Sequence, residues 1–198
     1  MATQRSPRQR DPGRKDRILE AAAGLVAKHG FHAISLTEIG AEAGIVGSGI
    51  YRHFDSKTAI LVALFDQIME RLTVNAGKIV AEAGDDHSAL SALVRDHIEV
   101  AITDRTVFAV YQREAPNLPR EDERRLRRQQ RHYVEEWVHL LAPLRPDLAD
   151  AELRLAVHAA IGSIQSSLYF DSGLPDERVR ELLITMAHGC LGIGPPAS

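Results

Sequence analysis

The residue types that could do chemistry concentrate in one short stretch near the front of the chain. Gly47, Ser48 and Gly49 form a slim edge, and Tyr51, Arg52, His53 and Lys57 follow with a hydroxyl, a guanidinium, an imidazole and an ammonium over the next turns. Donors of this kind suit the phosphates that flank a duplex groove, and short side chains let a helix approach base edges. Competing chemistries fail on spacing. The run Gly44-Ile45-Val46-Gly47-Ser48-Gly49 is glycine-rich, but it follows a helical pattern and lacks both the strand and the spacing of a nucleotide-binding loop. No Gly-x-Ser-x-Gly elbow or other nucleophile motif is present, so no catalytic residue is assigned. Of the 9 histidines, His132 and His139 share a helical face. Seven residues apart, they stand about 10.5 Å from each other along the axis, too far for one ion, and no metal ligand is assigned.

A segment that presents donors has to be held on a packed scaffold, and the flanking pattern supplies one. Ile18, Ala22, Leu25 and Val26 recur at helical spacing, Lys28 and His29 occupy the last turn, and Gly30 stands where a left-handed C-cap is needed before apolar Phe31. Ser35-Leu36-Thr37-Glu38 reads as a capping box that opens a short helix with Leu36, Ile39 and Ala43 inside. Gly44 breaks it, and a second short helix runs through Ile50, Tyr51 and Phe54 to Asp55-Ser56, with Ile50 and Phe54 as core. Two short helices joined by a Gly-containing turn make a helix-turn-helix. After the Asp55/Ser56 cap a long helix carries Leu61, Leu64, Phe65, Ile68 and Leu72 toward Val80. Further helical stretches fall at about 87–104, 106–115, 121–142 after the Pro116-Asn117-Leu118-Pro119 break, 150–170 and 176–191. No period-2 strand pattern and no repeat is found, so the fold class is all-α with about nine helices.

The block from Ile18 to Leu64, with Ile39-Gly40-Ala41-Glu42-Ala43-Gly44-Ile45 and Ile50-Tyr51-Arg52-His53-Phe54-Asp55-Ser56-Lys57, resembles the DNA-binding domain of the tetracycline-repressor (TetR/AcrR) family. The resemblance covers about the first third of the chain. It implies a helix-turn-helix domain at 16–57 and a helical ligand-binding and dimerisation domain at 58–194, between a disordered basic arm at 1–15 and a tail at 195–198. It further implies that Ser35, Tyr51, His53 and Lys57 hold phosphates, with Thr37, Gly47, Ser48, Gly49 and Arg52 at or near base edges. Many family members carry a lysine or polar residue where Gly47 stands and a threonine where Gly49 stands. Base readout from this helix is therefore thin, and Arg52, Thr37 or the arginines of the arm carry more of the specificity.

The remainder of the chain supplies the expected ligand and dimer surfaces. Phe65, Met69, Phe108, Tyr111, Gln112, Glu114 and Trp137 are the candidate ligand-binding residues, drawn from a mostly apolar set that otherwise forms core. Tyr111-Gln112-Arg113-Glu114-Ala115 is similar to a segment of actinobacterial family members that sense acyl-CoA thioesters of lipid or steroid breakdown. On that similarity Arg124, Arg125, Arg127, Arg128 and Arg131 include partners for phosphates; the alternative is a solvated face of i, i+4 pairs with the neighbouring acids. Val179, Leu182, Leu183, Met186, Ala187 and Cys190 form a broad stripe on the last helix, and small residues line the helix before it. The stripe reads as an intrachain core. By resemblance it is half of a four-helix homodimer interface, which sets two recognition helices about 34–36 Å apart on a palindromic operator.

Composition agrees with these assignments. The 198 residues carry a net charge of −3, but residues 1–57 hold 9 Lys and Arg against 6 Asp and Glu, and the rest hold 15 against 21. A basic front on an acidic body points to an anionic partner that touches the N-terminal quarter. No apolar run approaches a membrane span and no signal-peptide core is present, and a single cysteine, Cys190, excludes an internal disulfide. The expected setting is the cytoplasm, with double-stranded DNA, a second copy and a small-molecule effector as partners, and no membrane or cofactor. The expected function is a ligand-responsive, DNA-binding repressor released from its operator by an apolar or acyl-CoA-like effector. The alternative is a constitutive regulator with a solid helical body, and a cavity in that body separates the two.

Overall fold

A computed structural model describes residues 13–45, 47–170 and 172–194. The arm through residue 12 and the tail at 195–198 lie outside the described residues, while Gly13, Arg14 and Lys15, expected in the arm, form the first turn of a helix. Among the described residues there are eight α-helices, two short 3-10 helices and no strand. None of these helices is long and apolar enough to cross a membrane. The chain divides into two compact units, one ending at Ala63 and the other beginning at Leu64.

In the first unit, α1 (Gly13–His29) buries Ile18, Leu19, Ala22, Ala23 and Val26. It stops where Gly30 turns left-handed at φ 84 and returns its N–H to the Val26 carbonyl at 2.8 Å. The capping box forms as the sequence predicts. Ser35 opens α2 (Leu36–Glu42), with Glu38 N–H donating to the Ser35 hydroxyl at 3.2 Å and Ser35 N–H donating to the Glu38 carboxylate at 2.7 Å. These bonds, the Ser35 hydroxyl's first, hold the Glu38 carboxyl below its ordinary range. Gly44, at φ 69, ends α2. The next segment, expected to be helical through Phe54 to Asp55-Ser56, is a 3-10 helix over Gly47–Arg52. Two glycines in six residues lower α-helical propensity by about 1 kcal/mol each, and short 3-10 pieces are frequent as connectors. Ile50 is sealed beneath it and Phe54 nearly so.

The helix α3 (Lys57–Glu82) contributes about its first two turns to the first unit and the remainder to the second. Ser56 caps it, accepting from Ala59 N–H at 3.0 Å. The second unit adds α4 (Asp86–Thr103), α5 (Arg105–Glu114), a 3-10 turn at Ala115–Asn117, α6 (Arg120–Leu141), α7 (Asp150–Ser166) and α8 (Asp176–Leu191). Here α7 packs along α8, and α4 packs against α6, α7 and α8. The core runs through Leu90, Leu93, Val94, Trp137, Leu141, Val157 and Ile164. α7 ends four residues before the expected limit. Ser163, Ser166 and Ser167 turn their hydroxyls back onto the carbonyls of Ala160, Ser163 and Ile164, and Arg105 donates to the carbonyls of Ser167 and Phe170. Local serine bonds of this kind compete with helix propagation.

Candidate nucleic-acid interface and ligand cavity

The 3-10 helix presents its polar residues outward and its apolar ones inward. Ser48, Tyr51, Arg52 and His53 are exposed, Tyr51 by 54%, while Ile45, Ile50 and Phe54 are buried below. Glycine permits the close approach of α2 and of the turn after it to this segment. A Cβ at Gly40 would stand 3.3 Å from the Ile50 Cβ, and one at Gly49 only 2.8 Å from the Ile45 Cγ2. Thr37 is also exposed, and the side chains of Thr37, Ser48, Tyr51, Arg52 and His53 make no hydrogen bond within the protein among the described residues. Gly47 begins the 3-10 helix.

Two residues assigned to phosphates are engaged internally. The Lys57 ammonium donates to the carbonyls of Phe31 at 2.9 Å, Ile34 at 3.0 Å and His32 at 3.4 Å, and lies 4.7 Å from the centre of the Phe31 ring. All three donors of the group are used. Ser35 is exposed, but its N–H and hydroxyl both serve the Glu38 carboxylate. These two side chains tie down the loop between α1 and α2 and the first turn of α2.

The second unit encloses a cavity of about 210 Å³. Its walls are Phe65, Ile68, Met69 and Leu72 from α3, Phe108 and Tyr111 from α5, Val134 from α6 and Ile161 from α7, with Gln130, Tyr133, His158, Gln165 and His97 as polar groups. Tyr111 meets Phe65 edge-on at 4.8 Å, and burial raises its phenol. His97 is 2% exposed. Its ring stacks on Tyr133 with centroids 5.7 Å apart, meets Phe108 and Trp137 edge-on, and its Nδ1 lies 3.1 Å from the Tyr133 hydroxyl. Burial drags the imidazole down to about 4 and pushes the Tyr133 phenol up. Tyr111 and Gln130 are shared with an adjoining cleft of about 280 Å³, which Gln112, Pro116, Leu118, Glu123 and Arg127 complete.

The structure therefore brings Phe65, Met69, Phe108 and Tyr111 together as the sequence predicts and separates the other three candidates from them. Trp137 lies behind His97, fully buried, and not on the wall. Gln112 borders the cleft and donates to Gln165 at 3.1 Å. Glu114 is buried and accepts from Arg113 at 2.9 Å and Asn117 at 2.7 Å, tying the end of α5 to the turn that follows. Sequence reasoning missed His97, although the stripe Leu90, Leu93, Val94, His97, Ile98, Ala101 on α4 marks it as a histidine on a buried face. Of the α6 arginines, Arg127 pairs with Glu123 at 2.6 Å as an i, i+4 pair, and Arg125 pairs with Asp66 and Asp122. Arg124, Arg128 and Arg131 are exposed. His132 and His139 are exposed, and no described group of three His, Cys, Asp or Glu is placed to hold a metal.

The apolar stripe on α8 is broader than one buried face. Leu183, Ala187 and Leu191 turn inward with His188, Cys190 is half-buried, and Met186 is 51% exposed. Val179, Leu182 and Met186 line a groove of about 480 Å³ with Phe170 and Leu174, and Leu155, Tyr169 and Phe170 are each largely exposed.

Comparison with known proteins agrees with both units. The family model for bacterial regulatory proteins of the tetR family matches residues 18–64, and that for the tetracyclin repressor-like C-terminal domain matches residues 84–168. The chain belongs to the tetracycline-repressor family of bacterial regulatory proteins. It is 32% identical over 106 residues to the HTH-type transcriptional repressor KstR2 of Rhodococcus jostii, a match covering 54% of this chain and 52% of that one. The chain spans about half the length of the curated relatives it matches. The ketosteroid transcriptional regulator KstR2 of Mycobacterium tuberculosis shares the fold with a TM-score of 0.77 at 22% identity, over 93% of this chain and 97% of that one. AibR, solved in complex with isovaleryl coenzyme A and operator DNA, shares it with a TM-score of 0.74 at 20% identity, over 93% of this chain and all of that one.

Proposed function

We propose that the protein is a ligand-responsive transcriptional repressor that acts in the cytoplasm, without catalytic chemistry, as a homodimer on a palindromic operator. The observation that carries this reading is the exposed row Ser48, Tyr51, Arg52 and His53 over the buried Ile50 and Phe54. Tyr51 and His53 serve as phosphate donors and Arg52 as the reader of base edges, with Thr37 and the glycine edge beside it. Ser35 and Lys57 act by position, holding the loop that sets this row. Leu155 on α7, Met186 on α8 and Tyr169, Phe170 and Leu174 between them are exposed large apolar residues, and they support dimerisation because such exposure calls for a partner. The cavity favours an effector over a constitutive regulator. Its size and apolar walls, the adjoining cleft with Arg127, and the complex of AibR with isovaleryl coenzyme A support an acyl-CoA or related lipid-derived effector. Since α3 carries cavity residues as well as the Lys57 clamp, an occupant that shifts α3 changes the spacing of the two heads. A coupling of about 1–3 kcal/mol weakens operator binding roughly 5- to 150-fold.

The test is a fluorescence anisotropy titration of a duplex taken from upstream of the gene, repeated over a range of salt. Tyr51→Ala/Arg52→Ala abolishes specific binding and lowers the salt slope by about 1 for each phosphate no longer held. Lys57→Met weakens binding and lowers unit stability by about 1–3 kcal/mol but leaves the salt slope unchanged. A double variant that binds like wild type overturns the reading, and a reduced slope for Lys57→Met returns that residue to the phosphates.

A further inference from the structure

Among the described residues that line the cavity there is no Asp, Glu, Lys or Arg, and the most deeply buried of its polar groups is His97. The His97 Nε2 is buried and has no hydrogen-bond partner among the described residues. We infer that the effector presents to this cavity a neutral group bearing a hydrogen-bond acceptor, a carbonyl, and that His97 Nε2–H is the donor that reads it. This rests on the cavity being the effector site.

The direction of the hydrogen bond follows from counting donors. If Nδ1–H donated to the Tyr133 oxygen, the phenol hydrogen and the Nε2 lone pair would both lack partners. If the Tyr133 hydroxyl donates to Nδ1, only Nε2–H is left. The second arrangement leaves one buried group unmet instead of two, and a buried unmet donor is costly enough to decide the tautomer. An acceptor brought by a ligand satisfies it. A carboxylate does not fit, because burial keeps the imidazole uncharged at neutral pH and no described lining residue offers a counter-ion. The volume sets the size of the group. A cavity of about 150 Å³ holds benzene, so about 210 Å³ takes a six-membered ring with one substituent or a short acyl chain, and anything larger continues past Tyr111 and Gln130 into the cleft. A cyclic ketone and an acyl thioester both carry such a carbonyl and serve as the two probes.

Trp137 is the single tryptophan and its ring lies 5.9 Å from His97, so its fluorescence reports occupancy. The full-length protein is titrated with cyclohexanone, S-methyl thiobutanoate, methylenecyclohexane and cyclohexanecarboxylate. Wild type binds the first three and not the carboxylate. His97→Phe weakens the carbonyl probe that matches the effector roughly 3- to 10-fold and leaves the isosteric hydrocarbon unchanged, and the probe that suffers this loss tells ketone from thioester. A nitrogen-15 spectrum of the wild-type imidazole gives the same answer if His97→Phe does not fold: the Nε2 signal moves with a carbonyl probe and not with methylenecyclohexane. Equal losses for carbonyl and hydrocarbon, an unmoved Nε2 signal, or carboxylate binding as tight as that of the ketone overturns the inference while leaving the cavity as a ligand site. If no probe changes the fluorescence, the cavity is not an effector site and the inference falls with it.

Discussion

A lysine at the first position of a helix works against the helix dipole, yet Lys57 stands there. Its ammonium is repaid by three carbonyls and an aromatic face from a loop 23 to 26 residues earlier. That partnership is long-range, so the spacing Tyr51-Arg52-His53…Lys57 showed a cluster of donors without showing which one faces inward. Exposure of Tyr51, Arg52 and His53 was legible because the alternation with Ile50 and Phe54 is local. His97 shows the opposite limit: its apolar stripe was readable, but its stacking on Tyr133 from another helix was not. Trp137, by size and type a natural pocket wall, is instead packed behind that stack. His97 also carries a pH prediction. Its folded value of about 4 lies below the ordinary 6.5, so between those pH values the unfolded chain binds more protons and stability falls as pH drops. The loss is at most about 1.4 kcal/mol per pH unit for one group; it is absent above about 6.5 and complete below about 4. Urea midpoints across this range should decline more steeply for wild type than for His97→Gln, and equal declines would show that His97 is not the group responsible.

At the scale of elements, the nine helical stretches in the sequence correspond to eight α-helices and one 3-10 helix, with a further 3-10 turn at Ala115–Asn117 in the proline break. Caps were the most legible feature, since Gly30, Ser35 and Ser56 each act within four residues of their partners. Less legible was the winding of Gly47–Arg52, because Gly49 there answers to the close approach of Ile45 as well as to propensity. Glycine position therefore has opposite consequences in two helices. Gly49→Ala drives a Cβ to 2.8 Å from a buried β-branched methyl, and overpacking of this kind costs about 1–3 kcal/mol. Gly77→Ala, on the exposed side of α3 with nothing within 4 Å, gains about 0.5–1 kcal/mol. Thermal unfolding of the two variants should move the melting temperature in opposite directions; a stabilising Gly49→Ala would contradict the packing described between Ile45 and the 3-10 helix.

For the whole molecule, the charge asymmetry runs parallel to the two compact units: a basic front, which the proposed function assigns to an anionic polymer, and an acidic helical body that holds a cavity. The apolar stripe of α8 was visible in sequence, but its split between an inward half at Leu183, Ala187 and Leu191 and an outward half at Met186 depends on how α7 and α4 pack against it. Under the proposed function that outward half is the surface on which a symmetric pair forms, and symmetry in the protein then requires symmetry in the DNA. Hydroxyl-radical footprinting of the region upstream of the gene shows whether, and where, the protein sits on the duplex. Wild type should protect two patches about 10–10.5 base pairs apart or a multiple of that spacing, and Tyr51→Ala/Arg52→Ala should erase both. No protection by wild type, or the same protection by the double variant, would contradict DNA reading by the segment from Gly47 to His53.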